Sequence, residues 1–262
     1  MKSAIDKVEE KGYNFYKKSL RRIKIMLLFY IRHGDPIYDP DSLTPLGERQ
    51  AEAVAKRLAL YGIDKVYAST STRAQLTAKP TCEILKKTPT LLDFANEGHA
   101  WTQLTVNTEQ GRRWIFHSAH HRRLINDEEF IALGHKWYEH PEFAGGTFEA
   151  GMNRILTETN AFLSSLGYEH IGRSGAYKVT EDNDSRVALF AHQGFGLAFL
   201  STLLDIPFPH FAAHFDMSHT GMTVIEFKNE GGYAYPKVLT LASDSHLYRE
   251  GLPTKYNNGI YF

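Results

Sequence analysis

Two short stretches combine the residue types needed to handle phosphorus. Leu27-Leu28-Phe29-Tyr30-Ile31-Arg32-His33-Gly34 is an apolar run that stops at a cation, an imidazole and a glycine. Val187-Ala188-Leu189-Phe190-Ala191-His192-Gln193-Gly194 repeats the pattern far down the chain. Each reads as a buried strand ending in a histidine before a glycine. Ligands of open α/β sheets gather beyond the carboxyl ends of the strands, so both imidazoles are expected at one sheet edge. Arg32 and Arg73 add guanidinium groups, whose planar fork makes paired, charge-assisted bonds to phosphate. A neutral imidazole offers a lone pair to an electrophile, so the chemistry expected is phosphoryl transfer through a histidine.

The elements that must position these residues follow from periodicity and punctuation. Residues 25–31 read as a central strand, followed by a loop rich in Asp and Pro (35–41). Thr44-Pro45 supplies an N-cap and a first-turn proline. Leu46, Ala51, Val54, Ala55 and Leu58 then mark an inner helical face, and Gly62 ends the helix. Lys65–Ala68 is a short strand. Ser69-Thr70-Ser71 turns into a helix with Arg73 in its first turn and Pro80 expected to kink it. Leu91–Phe94 is a third candidate strand. Residues 98–146 hold the tryptophans Trp101, Trp114 and Trp137 and many histidines, with little pattern before a helix near 127–139. They read as a cap inserted over the sheet edge. Thr147 caps a long helix to about Leu166. Gly194–Leu204 is helical, and strands at 222–227 and 237–241 are joined through Gly231-Gly232. Strands alternating with helices predict an α/β fold, a three-layer α/β/α sandwich around a mostly parallel sheet.

Composition narrows the function. The chain has 262 residues, 42% of them hydrophobic, and thirty basic residues balance thirty acidic ones. No overall field argues for nucleic acid or an anionic membrane. Residues 1–24 carry eight Lys/Arg against three Asp/Glu, and read as a basic extension ahead of a single domain over 25–262. The apolar run after it is too short to span a bilayer and lacks a cleavage site, so no stable membrane insertion is expected. The single cysteine, Cys82, reads as a core residue and suits a reducing, cytoplasmic setting.

The Arg32-His33-Gly34 triplet resembles the signature of the histidine phosphatase superfamily, with its phosphoglycerate mutase-like fold. Leu43-Thr44-Pro45-Leu46-Gly47-Glu48-Arg49-Gln50-Ala51 is similar to that family's "LTxxGxxQA" helix start. Tyr67 to Ala78, with Ser69-Thr70-Ser71-Thr72-Arg73-Ala74, is similar to its "SxxxRAxxTA" segment, and Ala191-His192-Gln193-Gly194 to its second histidine motif. The resemblance runs from about residue 25 to 242. It implies that His33 is the nucleophile of a phosphohistidine intermediate, that Arg32 and Arg73 clamp the phosphoryl oxygens, and that His192 is a second, cationic phosphate ligand. The backbone around Gln193 would offer helix-start N–H groups to the same anion. Asn96-Glu97 falls where the family often carries an acid. Glu97 is therefore the candidate to protonate the leaving group, since a carboxyl beside a dianion holds its proton more tightly. Asp35 and Asp93 stay open as alternatives. Tyr38 and His219 are candidate pocket residues along with Asp35.

No metal and no cofactor are expected. His117, His120 and His121 have helical chelating spacing, as do His210 and His214. Without a metallohydrolase motif they read as a solvated face or cap packing. The gap from Gly34 to Leu43 is short, Asp35-Pro36 stands where the family's mutases have a polar pair, and the basic His117–Arg123 segment does not look like their arginine-rich insertion. The expectation is a phosphatase acting on a small phosphomonoester. A phosphoglycerate mutase-type transfer and a noncatalytic phosphate-binding module are the alternatives.

Overall fold

In the computed structural model, which describes residues 24–257 and 259–262, the first apolar run is strand β1 (Ile25–Arg32). The expected basic extension lies, but for Lys24, outside the described residues. Successive side chains of β1 point to opposite faces. Met26, Leu28 and Tyr30 enter one apolar cluster, while Phe29 and Ile31 enter another on the other side of the sheet. Both faces are covered, which is why the run is continuously apolar rather than alternating.

The Asp/Pro-rich loop after β1 is a small hairpin, β2 (Pro36–Tyr38) and β3 (Asp41–Leu43). Helix α1 (Pro45–Tyr61) begins and ends as its sequence predicts. The Thr44 hydroxyl accepts from the Gly47 N–H, and Gly62 closes the helix at φ 70°. Strand β4 (Lys65–Ser69) leads into α2 (Thr72–Leu85), in which Pro80 sits without interrupting the helix. The third candidate strand is shorter than expected: β5 (Thr90–Leu92) gives way to a 3-10 turn at Asp93–Ala95.

The segment over 98–146 is better ordered than its pattern suggested. It contains α3 (Glu97–Gln103), a hairpin of β6 (Thr105–Thr108) and β7 (Gly111–Trp114), α4 (Ala119–Ile125) and α5 (Glu128–Ala132). The helix expected near 127–139 stops at Ala132 and continues as a 3-10 stretch over Gly134–Glu139. These elements are too short for a hydrophobic period to register, and they are held by aromatic packing instead. Trp137 is buried among Phe143, Phe148 and Phe208.

Helix α6 (Phe148–Ser164) starts where Thr147 predicts, but that hydroxyl donates to the Gln103 carbonyl rather than capping the helix. An unforeseen hairpin, β8 (Tyr168–His170) and β9 (Tyr177–Val179), precedes β10 (Arg186–Ala191). Helices α7 (Gln193–Leu203) and α8 (Phe208–His214) follow, then β11 (Met222–Lys228), β12 (Tyr233–Ala234), β13 (Lys237–Ser243) and α9 (Ser245–Arg249). Strand β12 leaves the main sheet and pairs with β9.

The six-stranded sheet has the order β13-β11-β1-β10-β4-β5. Strands β1, β10, β4 and β5 are parallel, and β11 and β13 extend the sheet in antiparallel sense. One face is covered by α1 and α2 through Val54, Leu58, Ala78 and Cys82. The other is covered by α6 and α7 through Ile155, Phe162, Phe195 and Phe199, in a cluster continuous with Trp114 and Phe116. The result is the expected three-layer α/β/α sandwich. Among the described residues no helix is long and apolar enough to cross a membrane.

Candidate active site

The register of two parallel strands brings the histidines together. Arg32 of β1 lies opposite Ala191 of β10, and the ladder continues one step further as the His33 N–H donates to the Ala191 carbonyl at 2.9 Å. His33 and His192 therefore leave the sheet side by side, with ring centroids 5.2 Å apart. Tyr30 pins the second strand end from below: its hydroxyl donates to the His192 carbonyl at 2.6 Å and accepts from the His192 N–H at 3.2 Å.

The tautomer of His33 is set by its neighbour. Nδ1 lies 2.7 Å from the Gly34 carbonyl, which can only accept, so Nδ1 carries the proton and Nε2 keeps its lone pair. Burial pushes the ring's proton affinity well below the usual histidine range, and His192, Arg32 and Arg73 push it the same way. Gly34 must be small: a Cβ there would lie 2.6 Å from the Gly47 carbonyl oxygen, where α1 starts.

His192 departs from expectation in charge. Burial, then Arg73 and Arg32, drive its proton affinity well below normal, which favours the neutral ring over the imidazolium expected beside a phosphate. Its Nε2 meets the Ser69 hydroxyl at 2.9 Å and the Ser71 hydroxyl at 3.2 Å. Ser69 Oγ already accepts the Ser71 N–H, so its own proton is available for Nε2. That leaves the proton of a neutral ring on Nδ1, which is buried, lacks a hydrogen-bond partner among the described residues, and points toward Glu97 Oε2 at 3.8 Å.

Both arginines line this edge. Arg32 is fully buried and donates to the Met217 carbonyl and, at 2.6 Å, to Asn257 Oδ1. Arg73 donates to Asp41 Oδ1 at 2.7 Å, lies 3.5 Å from Glu97 Oε2, and sits over the Tyr38 ring. A cation at a helix start is accommodated because the Asp41 carboxylate also accepts the Thr72 N–H at 2.7 Å. The Nε atoms of Arg32 and Arg73 are buried without a hydrogen-bond partner among the described residues. With His192 Nδ1 they make three desolvated donors around one edge, an arrangement suited to an anion.

Of the three candidate carboxylates, Glu97 faces the histidines. It opens α3, next to Asn96, whose side chain accepts the Gly98 N–H. Glu97 Oε1 accepts the Gly194 N–H at 2.8 Å. The helix-start amide expected to greet an anion is thus occupied by the chain's own carboxylate. The Gln193 side chain likewise donates to Asp216 and lines the cavity beside the histidines. Asp93 is exposed and bonds Thr70 and His99. Asp35 is engaged by Lys255 at 2.8 Å, Thr44 at 2.8 Å and His219 at 3.4 Å. Burial raises its proton affinity, but Lys255, Thr44 and His219 more than offset this and hold it below the carboxylate range. His219 lies 5.9 Å from His33, ring to ring, and burial beside Arg32 lowers its proton affinity.

A cavity of about 430 Å³ adjoins these groups, lined by Tyr38, Arg73, Glu97, Trp101, Trp114, His117, Gln193 and Asn257. Trp114 presses on the start of α7 so closely that a Cβ at Gly194 would fall 2.2 Å from its ring. Trp101 and Trp114 line the cavity, whereas Trp137 is core. Asn257 was not foreseen. It contacts Arg32, His219 and Tyr38 from a tail remote in sequence, and nothing local marks it. Ser69 and Ser71 were visible only as part of a motif.

Two groups could hold a metal ion among the described residues: His33, Glu97 and His192, and His120, His121 and Glu142. His117 does not join the latter despite its spacing, and His210 and His214 form no such group.

Protonation gives a stability prediction. The folded-state affinities of His33, His192, His219 and His246 are all depressed from 6.5, the last to about 4. Above pH 6.5 each is neutral folded or unfolded. As pH falls below 6.5 the unfolded chain binds protons that the folded chain refuses, so stability falls, by about 1.4 kcal/mol per pH unit for each fully depressed histidine. Thermal or urea denaturation between pH 7.5 and 5 should show a steep loss before ordinary carboxylates titrate. Unchanged or rising stability would mean that these rings are charged in the fold.

The model of the histidine phosphatase superfamily (branch 1) matches residues 28–139. A probable phosphoglycerate mutase from Yersinia enterocolitica is 30% identical over 128 residues, which cover 43% of this chain and 60% of that relative. Among solved structures, a phosphoserine phosphatase from Entamoeba histolytica has a TM-score of 0.57 at 18% identity, covering 85% of this chain and 99% of that one. A mycobacterial glucosyl-3-phosphoglycerate phosphatase has a TM-score of 0.55 at 19% identity, covering 84% and 100%. A putative alpha-ribazole-5'-P phosphatase from Escherichia coli has a TM-score of 0.53 at 20% identity, covering 84% and 98%. Residues 28–139 thus resemble the histidine phosphatase superfamily, and the chain shares the fold of these solved phosphatases.

Proposed function

We propose that this chain hydrolyses a small phosphomonoester through a phosphohistidine formed on His33, without a metal ion. The observation that carries the reading is the neutral, oriented His33 ring: Nδ1 is engaged with Gly34, and the ring packs beside His192 with Glu97 close by. Nε2 attacks phosphorus and the ester P–O bond breaks. The Glu97 carboxyl gives its proton to the departing oxygen. Arg32, Arg73 and the His192 Nδ1–H hold the remaining phosphoryl oxygens, where charge builds. Water then attacks the phosphohistidine, Glu97 takes its proton, and inorganic phosphate leaves with the His33 lone pair restored. Tyr38, Trp101 and Trp114 would hold the organic part of the substrate. Cys82, lone and buried, suits a reducing compartment.

The test is hydrolysis of 4-nitrophenyl phosphate in the presence of chelator, with acid-labile, alkali-stable labelling of the protein by a radiolabelled phosphoryl donor. Turnover that survives chelator together with such a label supports the reading. Loss of turnover to chelator overturns metal independence. Phosphate binding without turnover on any ester favours a binding module. Added zinc should inhibit, because His33, Glu97 and His192 offer ligand atoms within 4.8 Å of one another.

The Yersinia relative's name favours a second reading, phosphoryl transfer between positions of phosphoglycerate. Incubation with 3-phosphoglycerate separates the two: inorganic phosphate marks the hydrolase, 2-phosphoglycerate the mutase.

A further inference from the structure

The segment over 98–146 carries a second cluster of ligand-type side chains, apart from the reacting groups. His120, His121 and Glu142 each offer a ligand atom, all within 4.8 Å of one another, and none of the three lines the cavity at the histidines. His120 and His121 stand in the first turn of α4, and Glu142 in the loop that leads to α6. Both Nε2 atoms face the same oxygen: His121 Nε2 lies 3.4 Å and His120 Nε2 3.5 Å from Glu142 Oε1. Those separations are longer than a charge-assisted hydrogen bond, at about 2.7–2.9 Å. They match two ligands of one tetrahedral zinc, which keep about 3.3–3.4 Å between them at zinc–ligand distances near 2.0–2.1 Å. Among the described residues no lysine or arginine pairs with Glu142, so its charge is not already matched by a fixed cation.

The surroundings hold these donors in place. His121 is buried, with its ring 5.5 Å from that of Phe143, which in turn meets Trp137 and Phe130. Its Nδ1 lies 2.8 Å from Ser118 Oγ. A proton on Nδ1, donated to that hydroxyl, leaves the Nε2 lone pair facing Glu142; this is the outer bond that ligating histidines ordinarily make. The Glu142 N–H donates to His140 Nδ1 at 3.2 Å, which fixes the loop on which the carboxylate stands. The exposed His120 ring meets His121 edge-on at 5.0 Å, with room to swing onto a shared ion.

We infer that His120, His121 and Glu142 form a zinc site that clips α4 to the loop before α6. Two imidazoles and a carboxylate suit a borderline divalent ion better than calcium or magnesium, which take oxygen ligands. Three protein ligands leave the fourth position for water. The role of the site is structural. Helices α4 and α5 are seven and five residues long, too short to be stable in isolation. An ion bound by the folded segment alone adds its binding free energy to the fold. The inference is independent of the phosphatase reading, because none of the three side chains belongs to the group around His33.

The experiment titrates zinc chloride into the chelator-stripped chain by calorimetry. It uses a His33→Ala background, in which the group of His33, Glu97 and His192 has lost a ligand. One equivalent of zinc is expected to bind this variant, and adding His120→Ala and Glu142→Gln should weaken that binding by about tenfold or more. Both substituted side chains are exposed, so the combined variant should fold, which circular dichroism checks. Zinc at about a hundredfold over its Kd should raise the thermal midpoint of the His33→Ala chain by roughly 5–10 °C and leave that of the combined variant unmoved. Cobalt(II) in place of zinc should give the intense visible bands of a tetrahedral ion, and the combined variant should lose them. Absence of zinc binding by the His33→Ala chain, equal affinity in the combined variant, or a thermal midpoint that zinc does not move overturns the site.

Discussion

His33→Ala is expected to lower kcat toward 4-nitrophenyl phosphate by roughly 10⁴- to 10⁶-fold, the scale on which removing a nucleophile collapses a covalent mechanism. The argument is geometric. Nδ1 is spent on the Gly34 carbonyl, and Nε2 is the lone pair among the clustered donors that can form a bond to phosphorus. His192 cannot substitute, because its Nε2 faces the Ser69 and Ser71 hydroxyls and its protonated Nδ1 faces the cavity. The variant should still bind vanadate or phosphate, since Arg32, Arg73 and His192 remain, and it should take no phosphoryl label. Circular dichroism controls for folding. Activity within tenfold of wild type, in a folded variant, would remove His33 from the chemistry.

Glu97→Gln separates proton delivery from architecture. Glutamine keeps an oxygen to accept the Gly194 N–H, so the start of α7 stays capped. It cannot pass a proton to a leaving oxygen. For an alkyl phosphate, whose leaving group is a strong base, kcat should fall by roughly 10²- to 10⁴-fold. For 4-nitrophenyl phosphate, whose leaving group departs stably as an anion, the first step should change far less. A leaving-group dependence of this kind is what a general acid produces. Equal losses on both substrates would instead make Glu97 a brace for Arg73 and α7, to which it is also joined.

These expectations depend on residues of unequal legibility. The positions of His33, His192, Arg32, Arg73 and Glu97 were readable because each sits at a boundary that local chemistry marks. An apolar run halts at His33 and again at His192, a serine-rich turn precedes Arg73, and Asn96 is a helix cap beside Glu97. The layers were readable too, because a strand buried on both faces must be apolar throughout, as Met26 to Ile31 is. The short helices and hairpins of 98–146 were not, since a few residues cannot display a period, and contacts such as Trp137 with Phe208 come from distant segments.

Sequence alone thus determined which side chains are available and at which strand and helix ends they stand, because those ends are written in local patterns of apolarity, capping and turn chemistry. Only the tertiary structure decided what they do to one another. The β1–β10 register sets His33 beside His192, and burial lowers the proton affinity of both rings, against the imidazolium expected at His192. Gly194 gives its N–H to Glu97 rather than to a ligand, and Asn257 arrives from the far end of the chain to bond Arg32. Charge state and hydrogen-bond pairing depend on desolvation and on neighbours brought together by folding, and neither is a property of any short run of residues.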